Sequence, residues 1–260
     1  MSHFRNAPAA PGVAFITGGA RGIGNAIAVS FAKEGAQAVV IVDIQDEATT
    51  REGKEAVEKY GARVLTIHAD VTKEDQVEKA VETAVKEFGR IDYAANFAGI
   101  VGPLTLAWDT PLEEWRKPVE VNQVGTWLCM KHELRQMIKQ DSVEVGSIVN
   151  CASVASILGG ELSGAYAASK HAVMGITKSA AIEARRHNIR VNAVSPGFLR
   201  TRLTRSDSRL PDATWDAYEA RQGREASVNE IGDVVALLST PRMSLVNGHN
   251  LVVDGGYTIS

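Results

Sequence analysis

Short apolar runs follow helical stretches at a regular interval along the first hundred residues. Each helical stretch ends at a glycine (Gly35, Gly61 or Gly89), and a run rich in β-branched residues begins shortly afterwards. Glycine suits the left-handed residue that ends many helices. The apolar runs span residues 38–42, 64–67 and 91–95, and their unbroken apolar character predicts strands that are buried on both faces.

The same alternation extends to the end of the chain. Further strands are predicted at 13–17, 147–151, 190–195 and 250–253, and helices from near Ile23 and over 118–140, 165–186 and 229–239. Strands that alternate with helices at this spacing are typical of βαβ units. The predicted fold class is α/β: a single-domain Rossmann-type doubly wound parallel sheet of about seven strands, flanked by helices.

Three helix starts carry a hydroxyl residue three positions before an acid. A hydroxyl side chain at this position caps the first free N–H groups of a helix, and the acid reaches back to the capping residue. The pattern predicts capped starts at Thr72 with Asp75, Thr110 with Glu113, and Ser227 with Glu230.

No Pro/Ser-rich linker or block of charge divides the chain. We therefore expect one Rossmann-type domain over residues 12–260, preceded by a flexible lead-in at 1–11. Residues 198–227 are polar and rich in arginine, which is typical of an inserted lid over a substrate rather than of a sheet element. We expect the arginines of this segment to form a solvated face rather than to bind an anionic substrate. They are Arg200, Arg202, Arg205 and Arg209.

Apolar residues near the predicted lid indicate a mid-sized hydrophobic substrate, although ordinary core packing explains any one of them. Those expected on the substrate side are Ile100, Val101, Ile157, Leu158 and Leu162, with Trp215 and Tyr218 from the lid.

Composition excludes several classes of protein. The chain has 260 residues, 45% of them hydrophobic and 23% charged, the balance of an ordinary globular protein. Its net charge of −3 is too small to mark a nucleic-acid-binding surface. Its apolar runs fall far short of the ~20 residues that span a bilayer, and residues 1–12 lack the apolar segment of a secretory signal. We expect a cytoplasmic protein without nucleic-acid or membrane partners.

The cysteines and histidines do not predict a metal centre. Cys129 and Cys151 lack paired ligand spacing, so both are expected to be buried small hydrophobic residues. His132 has no second histidine four positions away, and metal binding is not expected.

A glycine-rich turn follows the first predicted strand. Gly18, Gly22 and Gly24 lie where the strand gives way to a helix, and such a turn lets the backbone approach a pyrophosphate at the helix N-terminus. Asp43 ends the second strand about 20 residues further on, where an acid is expected to accept hydrogen bonds from an adenosine ribose. A tight turn without a ligand and a solvated or capping Asp43 remain the alternatives. Asp70 ends the third strand and either faces an adenine or begins the next turn.

A tyrosine, a lysine and a serine suggest proton transfer. Tyr166 and Lys170 are four residues apart on a predicted helix and therefore share one face. A phenol alone is a poor base near neutral pH, but a neighbouring ammonium stabilises the phenolate. Ser153 follows the strand 147–151, so it lies at the sheet edge where α/β proteins bind ligands. A surface Tyr–Lys pair is the alternative.

Together these motifs resemble the short-chain dehydrogenase/reductase family over essentially the whole chain. The family motif TGxxxGxG matches Thr17, Gly18, Gly22 and Gly24, and NNAG matches residues 96–99 with one departure, Phe97. By resemblance, the catalytic tetrad is Asn122, Ser153, Tyr166 and Lys170. Tyr166 would be the acid/base, Ser153 would orient the substrate oxygen, Lys170 would favour the phenolate and hold the nicotinamide ribose, and Asn122 would support a water-linked proton relay.

The resemblance also implies where the cofactor binds. Pro196, Gly197 and Thr201 match the segment that holds the nicotinamide carboxamide, and residues 251–256 match the closing strand and turn. The complete cofactor-binding prediction comprises Thr17, Gly18, Arg21, Gly22, Ile23, Gly24, Asp43, Asp70, Val71, Asn96, Ala98, Gly99, Tyr166, Lys170, Pro196, Gly197, Leu199 and Thr201.

The predicted function is hydride transfer between NAD(H) and a secondary alcohol or ketone. An NADPH-dependent ketoreductase is the alternative among enzymes, because Arg21 in the glycine turn can reach a 2′-phosphate, whereas Asp43 repels one. A regulatory protein that binds cofactor without turnover is the alternative of another class. The family resemblance further implies a homodimer or homotetramer through the helices that contain Asn122 and Tyr166.

Overall fold

The computed structural model describes residues 8–140, 146–201, 204 and 212–260. Within them, seven parallel strands form one sheet in the order β3-β2-β1-β4-β5-β6-β7. The strands are β1 (Val13–Thr17), β2 (Ala38–Asp43), β3 (Arg63–His68), β4 (Tyr93–Asn96), β5 (Gly146–Cys151), β6 (Ile189–Pro196) and β7 (Asn250–Val253). The predicted doubly wound parallel sheet is confirmed.

Helices connect the strands and cover both faces of the sheet. Within the described chain they are α1 (Gly22–Lys33), α2 (Glu47–Glu58), α3 (Glu74–Phe88), α4 (Leu112–Pro118), α5 (Thr126–Met137), α6 (Gly164–Ala184), α7 (Asp212–Gln222) and α8 (Val228–Ser239). A π-helical stretch, Val119–Gly125, joins α4 to α5.

Successive strand residues bury themselves in two separate cores, because side chains alternate between the faces of a strand. On β1, Ile16 joins one core with α1 and α8, whereas Phe15 joins the other with α3, α5 and α6. Gly232 lets α8 approach α1 closely: a Cβ there would lie 2.6 Å from the Ala26 carbonyl oxygen.

The strand order reverses at β1, which pairs with β2 on one side and β4 on the other. The chain crosses from β1 to β2 in one direction and from β4 to β5 in the other. A crevice therefore opens between β1 and β4 at the carboxyl edge of the sheet. The predicted cofactor and proton-transfer residues lie at or after the carboxyl ends of β1 to β6, and the fold thereby gathers them at one edge.

Two strand predictions need correction. β3 is not buried on both faces: Arg63 and His68 are exposed and the residues between them are half-buried, because β3 forms an edge of the sheet and has a neighbour on one side only. The strand predicted at 91–95 is Tyr93–Asn96, although Ile91 is fully buried before it.

The long helix predicted over 118–140 is interrupted. Its first residue, Pro118, is the last of α4, and the π-helical stretch that follows carries Asn122. The caps predicted at Thr72 and Thr110 do not form: Thr72 donates its hydroxyl to Asp70 and Thr110 donates to the Leu106 carbonyl, which removes both from their helix ends. The capping box of Ser227 and Glu230 is present, and Gly35, Gly61 and Gly89 are all left-handed as predicted.

The ends of the predicted lead-in and lid are packed rather than loose. Of the lead-in, residues 1–7 lie outside the described residues; Ala10 is fully buried and donates its N–H to the Glu34 carbonyl (3.0 Å). The predicted lid contains α7, whose Trp215 is buried against Phe198 and Tyr218. Arg202, Arg205 and Arg209 lie outside the described residues. No helix in the described ranges combines the length and apolarity needed to cross a bilayer.

Candidate active site

A cleft of about 670 Å³ opens at the carboxyl edge of the sheet. It is lined by most of the residues predicted from the sequence: Gly18, Arg21, Gly22, Ile23, Gly24, Asp43, Asp70, Val71, Ala98, Gly99, Ser153, Tyr166, Lys170, Pro196, Gly197, Leu199 and Thr201. Three predicted residues, Thr17, Asn96 and Asn122, lie behind this lining instead, where they support it.

The glycine turn is shaped by close backbone approach. A Cβ on Gly18 would lie 2.8 Å from the Ala98 backbone, and one on Gly24 would lie 2.1 Å from the Gly18 carbonyl oxygen. Gly22 has φ +59° and faces open space. Arg21, which precedes α1, provides no side-chain cap, so the first N–H groups of this helix are available to an anion. The turn therefore fits a pyrophosphate.

Asp43 is fixed by three backbone donors. Its Oδ2 accepts from the Ala20 N–H (3.0 Å), and its Oδ1 accepts from the Ile44 N–H (2.8 Å) and the Gln45 N–H (3.2 Å). The bond to Ala20 ties the end of β2 to the glycine turn. Arg21 also lines the cleft, and its side chain has no ion-pair partner in the described ranges. The two residues predicted to compete over a 2′-phosphate thus border the same cleft.

Thr17 and Asn96 stabilise the floor of the cleft from below. The Thr17 hydroxyl accepts from the Ala98 N–H (3.3 Å). Asn96 is buried and donates to Glu133 (2.9 Å) and Asn150 (3.0 Å). Both residues thus hold the lining of the cleft in place, and their contact with a cofactor stays a prediction.

Asp70 serves mainly the turn that it begins. Its Oδ1 accepts from both the backbone N–H and the hydroxyl of Thr72 (2.9 and 2.8 Å). Asp70 thus begins the next turn and also borders the cleft, and its contact with an adenine stays a prediction. Val71, beside it, is buried and packs where Gly125 passes: a Cβ on that glycine would lie 2.8 Å from Val71.

Ser153, Tyr166 and Lys170 meet at the cleft because β5 ends beside the start of α6. Lys170 is buried, and its Nζ lies 5.6 Å from the Tyr166 ring centre and donates to the Cys151 carbonyl (2.7 Å). Burial alone lowers the pKa of Lys170, but interactions with Cys151 and Tyr166 outweigh it and raise that pKa above its usual value. Lys170 is therefore a cation near neutral pH.

Ser153 has a hydroxyl proton to give. Its Oγ accepts from the Ala155 N–H (3.1 Å), which occupies an acceptor position and leaves the O–H as a donor toward the cleft. The geometry brings one hydroxyl donor, one phenol and one buried cation to the same wall.

Asn122 acts on the site through hydrogen bonds to the backbone of Ile100, which lines the cleft. Its amide pairs with Ile100, accepting from the N–H (2.8 Å) and donating to the carbonyl (2.9 Å), and it donates to the Ser169 hydroxyl (3.0 Å). The π-helical stretch changes the helical phase at this residue. Asn122 thereby holds the chain after Gly99 against α6.

The substrate side is only partly as predicted. Ile100 and Val101 line the cleft, whereas Ile157, Leu158, Leu162, Trp215 and Tyr218 are not part of its lining in the described residues. Trp215 and Tyr218 instead pack in an aromatic cluster with Phe198 and Tyr257. Cys129 is buried as predicted, but Cys151 is half-buried and borders the cleft, since it ends β5. Its position at the end of a predicted strand was the sequence feature that could have indicated its place beside the cleft.

No group of three or more His, Cys, Asp or Glu side chains in the described ranges is placed to hold an ion.

Comparison with known proteins agrees with this arrangement. A family profile described as enoyl-(acyl carrier protein) reductase matches residues 18–258. Borneol dehydrogenase from Lavandula x intermedia is 40% identical over 95% of this chain and 90% of its own length. Cis-4-hydroxycyclohexanecarboxylate dehydrogenase from Sinomonas cyclohexanicum is 39% identical over 95% of this chain and 96% of its own.

A solved structure, that of levodione reductase, superposes with a TM-score of 0.89 at 36% identity, covering 95% of this chain and 98% of the other. Profile, sequences and structure agree over nearly the whole length. The chain belongs to the short-chain dehydrogenase/reductase family and is an NAD(P)-dependent alcohol dehydrogenase or reductase.

Proposed function

We propose that this protein transfers a hydride between NAD(H) and a mid-sized, largely apolar secondary alcohol or ketone. The observation that carries the proposal is the meeting of Ser153, Tyr166 and the buried cation Lys170 in one cleft with the glycine turn. A site that only held a cofactor would have no need for a phenol and a hydroxyl donor beside a buried ammonium.

The proposed roles follow from these contacts. Nicotinamide, when bound, supplies the hydride acceptor for oxidation or the hydride donor for reduction. Tyr166 takes the proton from the alcohol in oxidation and returns one to the ketone oxygen in reduction. Ser153 donates a hydrogen bond to the same oxygen, and Lys170 stabilises the phenolate by its charge. Asn122 acts through Ile100 and α6 and supports the proton relay.

NAD(H) is the proposed cofactor because Asp43 is held in place. Three backbone N–H groups fix its carboxylate at the cleft, so it cannot turn aside without losing them. A carboxylate 4 Å from a 2′-phosphate repels it by roughly 4 kcal/mol per unit charge at an effective dielectric near 20. Partial solvation reduces this to about 10²-fold discrimination. Arg21 opposes this preference, and NADPH remains the alternative.

The proposed substrate class is a ring-bearing secondary alcohol or the matching ketone. Ile100 and Val101 give the cleft an apolar wall on the substrate side. Two relatives carry borneol and cis-4-hydroxycyclohexanecarboxylate in their names, and both compounds have a secondary hydroxyl on a ring.

The test is a screen of cyclic and open-chain secondary alcohols and ketones with NAD(H) and NADP(H), followed by the absorbance of the reduced nicotinamide. We expect turnover of cyclic substrates with NAD(H). Tight cofactor binding without turnover of any substrate would favour the regulatory alternative.

We also propose one domain over 12–260, a homodimer or homotetramer, and a cytoplasmic location. The continuous sheet supports the first. Exposed apolar residues on α5 and α6, Trp127 and Ile182, support the second, and two unpaired cysteines support a reducing compartment. Imaging of a fluorescent fusion tests the location, since one relative is named as mitochondrial.

A further inference from the structure

The stretch from Pro196 to Thr201 forms the wall of the cleft beyond β6. Pro196, Gly197, Leu199 and Thr201 all line the cleft. β5 and β6 lie on the opposite side of β1 from β2, so this wall stands on the half of the cleft that holds Ser153, away from Asp43. Any cofactor that extends from the Asp43 end to Tyr166 must present its reactive half to this wall.

Phe198, in the middle of the wall, faces away from the cleft. Its ring stacks on Tyr218 of α7 at 3.7 Å and meets Tyr257 edge-on at 4.9 Å. The peptide groups that flank Phe198 therefore determine the orientation of Gly197 and Leu199, which line the cleft.

Gln222, the last residue of α7, holds the two peptide groups that flank Phe198. Its Oε1 accepts from the Phe198 N–H (2.8 Å), and its Nε2 donates to the Phe198 carbonyl (3.1 Å) and the Arg224 carbonyl (3.2 Å). The residue is only 3% exposed. A side-chain amide alone offers an acceptor and two donors in this arrangement.

Two glycines show how closely the wall is fitted to Gln222. A Cβ on Gly197 would lie 2.3 Å from Gln222 Oε1, and a Cβ on Gly255 would lie 2.4 Å from the Gln222 carbonyl oxygen. Gly197 also donates its N–H to the Val253 carbonyl (2.9 Å). The wall is thus held between β7 and the end of α7.

We propose that Gln222 is a positioning residue for the nicotinamide half of the cofactor, acting through the backbone of Phe198. The inference rests on the proposed function. A wall fixed in advance spares the cost of ordering it when the cofactor binds. Without Gln222, the wall would sample other conformations, and the nicotinamide would lose contacts that the adenosine half does not use.

The test compares NADH with ADP-ribose, which lacks nicotinamide, by calorimetry on the full chain. Gln222→Leu removes all three hydrogen bonds. We expect it to weaken NADH binding about 10-fold, the equivalent of one buried hydrogen bond, and to lower kcat, while ADP-ribose binding changes less than about 2-fold. Gln222→Glu keeps the acceptor for Phe198 and should lie between.

The chain offers a matched control. Gln140 makes the same amide pair with the Ile91 peptide, accepting from its N–H (2.9 Å) and donating to its carbonyl (2.9 Å), outside the cleft lining. Gln140→Leu should lower the Tm and leave both affinities unchanged.

Equal losses for NADH and ADP-ribose, or no loss for either, would overturn the inference and make Gln222 merely structural. If Gln222→Leu does not fold, Gln222→Glu decides by the same comparison. Wild-type protein that binds neither ligand would refute the proposed function itself, and the inference with it.

Discussion

The side chains of the site differ in how firmly the fold holds them. Lys170 and Asp43 are tied to the backbone, Lys170 through the Cys151 carbonyl and Asp43 through three N–H groups. Tyr166 is only half-buried and lines the cleft. Lys170 thus places a fixed charge beside the phenol that is proposed to exchange protons with substrate, whereas Asp43 places one at the opposite end of the cleft.

Tyr166→Phe tests the proton transfer. The change removes the phenolic oxygen and little volume, so we expect turnover to fall by ~10²–10⁴ while the affinity for NADH stays nearly unchanged. Steady-state kinetics and calorimetry measure the two effects. Tyr60→Phe, on an exposed residue outside the cleft, is the control, and half of the wild-type rate in Tyr166→Phe would remove Tyr166 from the mechanism.

Asp43→Asn tests cofactor choice. Loss of the negative charge should improve kcat/KM for NADPH relative to NADH by up to about 10²-fold, by the charge argument above. Asp46→Asn is the matched control, because Asp46 accepts from the Thr49 N–H at the start of α2 and does not line the cleft. Better use of NADPH than of NADH by wild-type protein would show that Arg21 prevails.

Glu133→Gln tests a buried acid beneath the site. Burial raises the pKa of Glu133 from 4.5 to about 8, and the hydrogen bond from Asn96 only partly opposes it. Its Oε1 has no hydrogen-bond partner in the described ranges. Between these values the folded protein keeps a proton that the unfolded chain releases, so stability falls as pH rises, by at most about 1.4 kcal/mol per pH unit.

We therefore expect Glu133→Gln to flatten the decline in stability between pH 4.5 and about 8. Urea unfolding across this range measures the slope. Glu113→Gln, on an exposed residue, serves as the control. An unchanged slope in Glu133→Gln would mean that the carboxyl is ionised in the folded protein.

At the scale of elements, the sequence pattern and the observed hydrogen bonds differ where a side chain has a choice of two partners. Thr72 and Thr110 have the sequence of helix caps, yet their hydroxyls bond in the preceding turns. The π-helical stretch Val119–Gly125 has the apolar pattern of an ordinary helix, and the bonds of Asn122 to Ile100 and Ser169 accompany its changed phase. Helix α7 also differs from its prediction. The sequence predicted a lid in this segment, but the aromatic residues of α7 pack on the protein body.

Trp215→Ala tests that packing. Trp215 is 5% exposed and borders Phe198 and Tyr218 rather than the cleft. Removing a buried tryptophan costs about 3–5 kcal/mol, so a lower Tm in thermal unfolding is expected. Trp108→Ala, at a residue that is 79% exposed, should change Tm little. A stable Trp215→Ala protein with altered substrate ranking would restore the lid prediction.

At the scale of the whole molecule, the sheet edge concentrates function and the outer helices leave apolar side chains exposed. Trp127 on α5 and Ile182 on α6 belong to the two helices through which assembly is proposed. Light scattering should give a mass of two or four chains, and Trp127→Glu should lower it. Tyr60→Glu, at the end of α2, is the control; a monomeric wild-type protein would contradict the proposal.

The sequence by itself determined the periodic features. Strand and helix alternation, the glycine turn, Asp43 and the Tyr166–Lys170 spacing depend on near neighbours in the chain, and these interactions recur wherever the pattern does. All seven strands were predictable for that reason. Much of the cleft lining was predicted instead from the resemblance of the motifs to a known family.

Only the tertiary structure determined whether each of these side chains lines the cleft or packs behind it. Asn96 and Asn122 were predictable as site residues, but the partners that turn them away from the cleft, Glu133 and Ile100, are distant in the sequence. Trp215 is buried because Phe198 and Tyr218 meet it. Gln222 had no signal at all, since its role exists only where the end of α7 reaches the Phe198 peptide. Contacts between distant segments depend on the packing of the whole chain, and no local pattern encodes them.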